Sequence, residues 1–265
     1  MEYINEILKY LEEKYKLGSG FFCIYGSYAT KTQKKESDID LLFVHDTLEK
    51  KVNRTSEKYN ETFISFYEIS TKDLYEDSLG KYGGFFCGKI FNPKIIVEDN
   101  IHSREIIQDC IVRYFSYLLN NNICVKNKKY TDDEVLKNSI KCYIDLFPEY
   151  FAYIMRLYNS KNFAIIWNNW KKEHLESLIK GNIIKNSNRG YYYIKTIKME
   201  KYNKIKIDYI SRFWSYGSIS HNSNIEFYDF YKTKNVKYII NNLDLKKRVE
   251  NFLGVNYYIG DEYKK

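Results

Sequence analysis

Apolar residues at Ile4, Ile7, Leu8 and Leu11 recur at the three-and-four spacing of one helical face, which predicts a helix over 2–16. The pattern then changes to short unbroken apolar runs. Phe21-Phe22-Cys23-Ile24-Tyr25 and Leu41-Leu42-Phe43-Val44 are too short for helices and are bounded by polar turns, so they read as strands over 21–25 and 38–44. The polar stretch between them holds a short helix at about 28–35. A third strand is expected over 62–69, a helix from about Thr71, and a further strand from Ile95 to Glu98. Ser103 is placed to cap a long helix running to about Asn120, whose apolar stripe is Ile106, Ile107, Cys110, Ile111, Tyr114 and Leu118. Helical periodicity returns at 132–145, 148–158 and 161–180. Asn186 to Gly190 reads as a turn, 191–197 and 204–210 alternate in part, and 236–253 is again helical. This order predicts an α/β protein, with a small mixed-sheet core over 1–101 followed by a mainly helical domain over 102–265.

Composition narrows the picture in a few places. At 265 residues the chain is long enough for two modest domains, each with its own core. Nothing approaches a membrane-spanning run, and the N-terminal stretch reads as an amphipathic helix rather than an export signal. The five cysteines, Cys23, Cys87, Cys110, Cys124 and Cys142, are far apart and form no C-x-x-C pair, which favours reduced thiols in a cytoplasmic protein. The four histidines, His45, His102, His174 and His221, form no local ligand pair. Net charge is divided unevenly, −3 over residues 1–100 and +11 over the rest. Residues 171–240 hold 14 Lys and Arg against 6 Asp and Glu, interleaved with rings as in Arg189-Gly190-Tyr191-Tyr192-Tyr193 and Arg212-Phe213-Trp214. Cations among stacking rings suit single-stranded RNA, and equally suit a solvated surface over an aromatic core.

The candidate chemistry lies in the first hundred residues. Asp38 and Asp40 stand at i and i+2 of a strand, so both carboxylates point to one face, where paired hard oxygens suit Mg²⁺. Gly26 lets the chain turn tightly and bring backbone N–H groups close to a ligand; the Ser27 hydroxyl adds a donor, making a seat for phosphates. Gly83-Gly84-Phe85-Phe86-Cys87-Gly88-Lys89-Ile90 fits most of a P-loop but ends in Ile where that loop needs Ser or Thr. Lys89 stands apart from this reading as a candidate for a nucleotide phosphate.

Tyr25-Gly26-Ser27, a spacer of roughly ten residues and Ser37-Asp38-Ile39-Asp40-Leu41 together resemble the polymerase-beta-like nucleotidyltransferase superfamily, and most of all its antibiotic-type members. The resemblance implies Mg²⁺, with two ions, at Asp38 and Asp40, a nucleoside triphosphate such as ATP on Gly26 and Ser27, and transfer of its nucleoside monophosphate to an acceptor hydroxyl with release of pyrophosphate. It also implies a third carboxylate on the next strand. The position expected for it falls near Ser65; Glu68 is the candidate base, although its parity is opposite to that of Ser65, and Glu61 and Glu98 are the alternatives. A small-molecule, antibiotic-like acceptor is expected. RNA, such as a transfer RNA end, or a protein remain as alternative acceptors, and a binding module without turnover is the rival from another class.

Overall fold

A computed structural model of the protein describes residues 2–79, 81–82, 84–97, 100–122, 129–146, 150–188, 190–193 and 235–257. The described residues up to Tyr114 form one compact unit and those from Phe115 onward form another. The expected boundary at 101/102 coincides with the start of a helix whose first part, to Tyr114, packs with the first unit.

The first unit is built on five strands: β1 (Gly20–Tyr25), β2 (Ile39–His45), β3 (Val52–Tyr59), β4 (Thr62–Ser70) and β5 (Ile95–Val97). Their order in the sheet is β3-β4-β2-β1-β5. β2 and β4 run parallel, and every other neighbouring pair is antiparallel, so the sheet is mixed as expected. α1 (Glu2–Tyr15) lays Ile7, Leu8 and Leu11 against Phe22, Ile24, Ile39, Leu41, Phe43, Ile64 and Phe66, all on one face. Burying three such side chains is worth about 1.5–3 kcal/mol each. The other face is covered toward one end by α3 (Thr71–Ser78) and α4 (Phe85–Phe91), where Tyr67 meets Phe85 and Phe86 edge-on at 5.5 and 6.1 Å. With both faces covered, β1 and the middle of β2, Leu41–Val44, are continuous apolar runs rather than alternating.

Differences from expectation are local. The short helix, α2, runs over Gly26–Ala29, directly after β1 and earlier than the predicted 28–35; it is held by Thr30, whose buried hydroxyl donates to the Gly26 carbonyl at 3.0 Å. β3 and α4 have no counterpart in the predicted elements. The long helix expected from Ser103 is α5 (Ile101–Asn122).

The second unit is mainly helical. It contains α6 (Asp132–Leu146), α7 (Tyr150–Tyr158), α8 (Phe163–Lys180), a hairpin of β6 (Ile184–Ser187) with β7 (Gly190–Tyr193), and α9 (Leu243–Leu253). A reciprocal cap opens α6, since the Glu134 carboxylate accepts from Thr131 N–H at 2.8 Å and Thr131 Oγ1 accepts from Glu134 N–H at 3.3 Å. Phe252 packs on Tyr158, Phe163 and Trp167. His174 is buried and shares a hydrogen bond of 2.8 Å with Ser139, the ordinary fate of a core histidine. The predicted strand over 204–210, the basic and aromatic stretch through Arg212 to Trp214, and the candidates Glu98, Cys124 and His221 lie outside the described residues.

Candidate active site

Register places the two aspartates. Asp40 is paired with Tyr25 of β1 on one side and with Ser65 of β4 on the other, and Ser65 in turn is opposite Ser56 of β3. The next row inward is Leu42, Tyr67 and Arg54. Asp38 stands one residue before β2 and has the parity of Asp40, so the two carboxylates share the face opposite to α1. Burial and the neighbouring charge of Asp38 push the Asp40 carboxyl up to about 8. Two carboxylates on one face at the end of a sheet suit a hard divalent cation.

Gly26 follows β1 directly, with φ +68, a conformation that L side chains rarely adopt. A Cβ there would collide with the Asp40 carboxylate, so glycine is what allows the turn carrying Ser27 to close onto the aspartate. Gly26, Ser27, Asp38 and Asp40 are thus brought to one end of the sheet, as read from the sequence.

Lys89 reaches the same face from α4. Its ammonium lies 3.6 Å from the ring centroid of Phe85, 4.5 Å from that of Tyr67 and 4.7 Å from that of Tyr25. Burial pushes it down to about 7, the Asp40 charge opposing that shift and Arg54 adding to it. The P-loop alternative fails for a specific reason. The N–H groups of Tyr82, Gly84, Phe86 and Cys87 all donate to the buried carboxylate of Asp77, at 3.0, 2.9, 2.7 and 2.9 Å. An internal anion fills the cradle, and Lys89 sits instead among the rings of Phe85, Tyr67 and Tyr25, where its charge is felt by Asp40.

Glu68 is a correction. It sits three register steps beyond Ser65, opposite Phe43, and faces the α1 side of the sheet. There its carboxylate accepts from His45 Nε2 at 2.9 Å and from Asn53 Nδ2 at 3.0 Å, with Lys51 Nζ at 3.3 Å. Those partners hold it below the ordinary carboxylate range against the cost of burial. The period of two that puts Ser65 beside Asp40 turns Glu68 away. Glu61 lies in the turn between β3 and β4. The position beside Asp40 therefore carries a serine.

Among the described residues no group of three or more His, Cys, Asp or Glu comes together to hold a metal. Two carboxylates are nevertheless what Mg²⁺ commonly takes from a protein, with phosphates and water completing its shell. Residues 4–103 match the nucleotidyltransferase domain family. This part of the chain is a polymerase-beta-like nucleotidyltransferase domain. A search of curated proteins finds no match to the chain.

The nucleotidyltransferase domain also holds residues that sequence reasoning missed. Arg54 projects beside Tyr67, its guanidinium carbon 5.5 Å from the ring centroid, and its charge depresses Lys89. Ser56 and Lys58 share its face. The signal was present as a period-two pattern, Arg54, Ser56 and Lys58 alternating with Asn53, Thr55, Glu57 and Tyr59. It was hidden because neither set is apolar.

Proposed function

We propose that the protein transfers a nucleoside monophosphate from a nucleoside triphosphate to an acceptor hydroxyl and releases pyrophosphate. Asp38 and Asp40 would hold Mg²⁺, two ions in the full site. When bound, the metal supplies charge neutralisation on the phosphates and a lowered pKa for the attacking hydroxyl. Gly26 and Ser27 offer donors to the β and γ phosphates, and Lys89 adds a cation behind Asp40. The observation that carries this reading is the pair of carboxylates on one face of the sheet, closed upon by a glycine turn at φ +68.

No described residue supplies a third carboxylate at this site, so positioning and charge carry the reaction, with the incoming and leaving oxygens in line. A small-molecule acceptor accords with the described part of the basic segment. Lys171 there pairs with Asp133 at 2.8 Å and Lys172 stands 3.9 Å from Glu176, so these lysines already have carboxylate neighbours. The described cysteines, Cys23, Cys87, Cys110 and Cys142, are buried and form no disulfide among themselves, in keeping with a reducing compartment such as the cytoplasm. No helix among the described residues is long and apolar enough to cross a membrane.

The test is incubation of the protein with each of the four triphosphates labelled at the α phosphorus, with Mg²⁺ and a cell extract. Label should enter an acid-stable acceptor fraction from at least one triphosphate, with pyrophosphate released in equal amount. Label released only as free monophosphate would mean hydrolysis and would sink the transferase reading.

A further inference from the structure

The open part of the β3–β4 hairpin face has a composition that the nucleotide site does not require. β3 and β4 sort their charges by face. Glu57 and Glu68 point to the α1 side, where Glu57 is taken by Lys14, Tyr10 and Tyr15, and Glu68 by His45, Asn53 and Lys51. Arg54, Ser56 and Lys58 point to the side of the aspartates, level with Tyr67, Ser65 and Phe63. Each cation stands near a ring, Arg54 by Tyr67 and Lys58 by Phe63, both at 5.5 Å. Phe63 itself is 61% exposed. A lysine on an edge strand guards against unwanted pairing, but that need explains neither the arginine nor an exposed ring beside it.

In-line transfer gives this surface a place in the reaction. The phosphate seat at Gly26 and Ser27 lies on the β1 side of Asp40, so a leaving pyrophosphate departs on that side. The acceptor hydroxyl then approaches from the β4 side, over Ser65. β3 lies one strand further on, roughly 10 Å from β2 at the usual strand spacing. Arg54 and Lys58 are four residues apart along it, roughly 13 Å. This strip bears cations, hydroxyls and an exposed ring, and the hairpin's own strand carboxylates are turned away from it. Among the described strand residues of the hairpin no carboxylate faces a polyamine acceptor there, and the carboxylate next to Ser65, Asp40, is the one assigned to the metal. We propose that this strip, Arg54, Ser56, Lys58, Phe63 and Ser65, receives the acceptor, and that the acceptor carries a phosphate beside a planar ring, as a nucleotide or the end of a single nucleic-acid strand does. The proposal rests on the nucleotidyl-transfer reading above; it replaces the expected amine-rich, antibiotic-like acceptor with an anionic one. Phosphate on Arg54 or Lys58 and a base on Phe63 use the two interactions that bind single strands.

The experiment saturates the triphosphate site with a non-hydrolysable ATP analogue and Mg²⁺, then titrates two probes. One is a short fluorescent oligoadenylate followed by anisotropy; the other is AMP followed by calorimetry. Wild type, the double variant Arg54→Gln/Lys58→Gln, and Phe63→Ala are compared. Wild type should bind at least one probe, and the probe it binds tells strand end from free nucleotide. Affinity should fall with salt, with a slope for the oligomer reduced by about one to two in the double variant. Phe63→Ala should weaken binding at least about fivefold. All three proteins should keep the rise in melting temperature caused by the analogue with Mg²⁺, which shows folded proteins and an intact triphosphate site. Acceptor binding that is absent in wild type, or equal in all three proteins, overturns the proposal while that thermal shift persists. Transfer to kanamycin at equal rates in all three would overturn it too. A wild type without the thermal shift, with the analogues of all four triphosphates tried in turn, would remove the reading beneath it.

Discussion

Asp40 and Glu68 lie on neighbouring strands and face opposite sides of the sheet, and that single difference of parity separates a candidate metal ligand from a structural anchor. Glu68 is almost fully buried, with His45, Asn53 and Lys51 around its carboxylate. Its pKa in the fold is below its ordinary 4.5. A carboxylate depressed by folding stabilises the native state above its unfolded pKa, and that contribution is lost as pH falls through the folded value. Glu68→Gln should therefore lower stability by about 1–3 kcal/mol at pH 7, with the gap from wild type closing below about pH 4. Urea unfolding at a series of pH values measures this; a gap that widens on acidification would contradict it. The parity problem at Glu68 was legible in the sequence, because it sits an odd number of residues from Ser65. Its partners were not, since His45, Asn53 and Lys51 come from other strands and a connecting turn that only the sheet order brings together.

Among the elements, α4 decides where Lys89 stands, and Asp77 decides where α4 begins. Four N–H groups, three of them buried, share that one carboxylate, and burial pushes it up to about 6 in spite of them. Asp77→Ala would leave those donors without their acceptor and should cost about 3 kcal/mol or more. Thermal unfolding tests this, and a loss below about 1 kcal/mol would show that water or a rearranged loop replaces the carboxylate. Elements with strong apolar periodicity, α1, β1, β2, β4, α5 and α8, were legible within a few residues. β3 was not, because it is an edge strand with polar groups on both faces. α4 was not, because Gly84 at φ +78, pressed against the Tyr114 ring, and the Asp77 cradle set its start, and both are tertiary. The strand that periodicity missed is the one that carries Arg54 and Lys58.

For the whole molecule, the uneven charge becomes intelligible once the two units are separated. The sequence to residue 100 is acidic in sum, yet Arg54, Lys58 and Lys89 are concentrated on the face of the aspartates while Glu57 and Glu68 are spent on the opposite one. Net charge by segment could not reveal this, because the sorting has a period of two residues. The central claim is that Asp38 and Asp40 form the catalytic metal site and that Glu68 takes no part in it. Mg²⁺-dependent pyrophosphate release in the presence of extract, compared among wild type, Asp38→Asn, Asp40→Asn and Glu68→Gln at a temperature where all four are folded, tests it most directly. The account predicts release lowered at least about a thousandfold, roughly 4 kcal/mol of lost barrier reduction, in both aspartate variants, and release within about threefold of wild type, under 1 kcal/mol, in Glu68→Gln. Near-normal release by either aspartate variant, or its loss in Glu68→Gln, would contradict it.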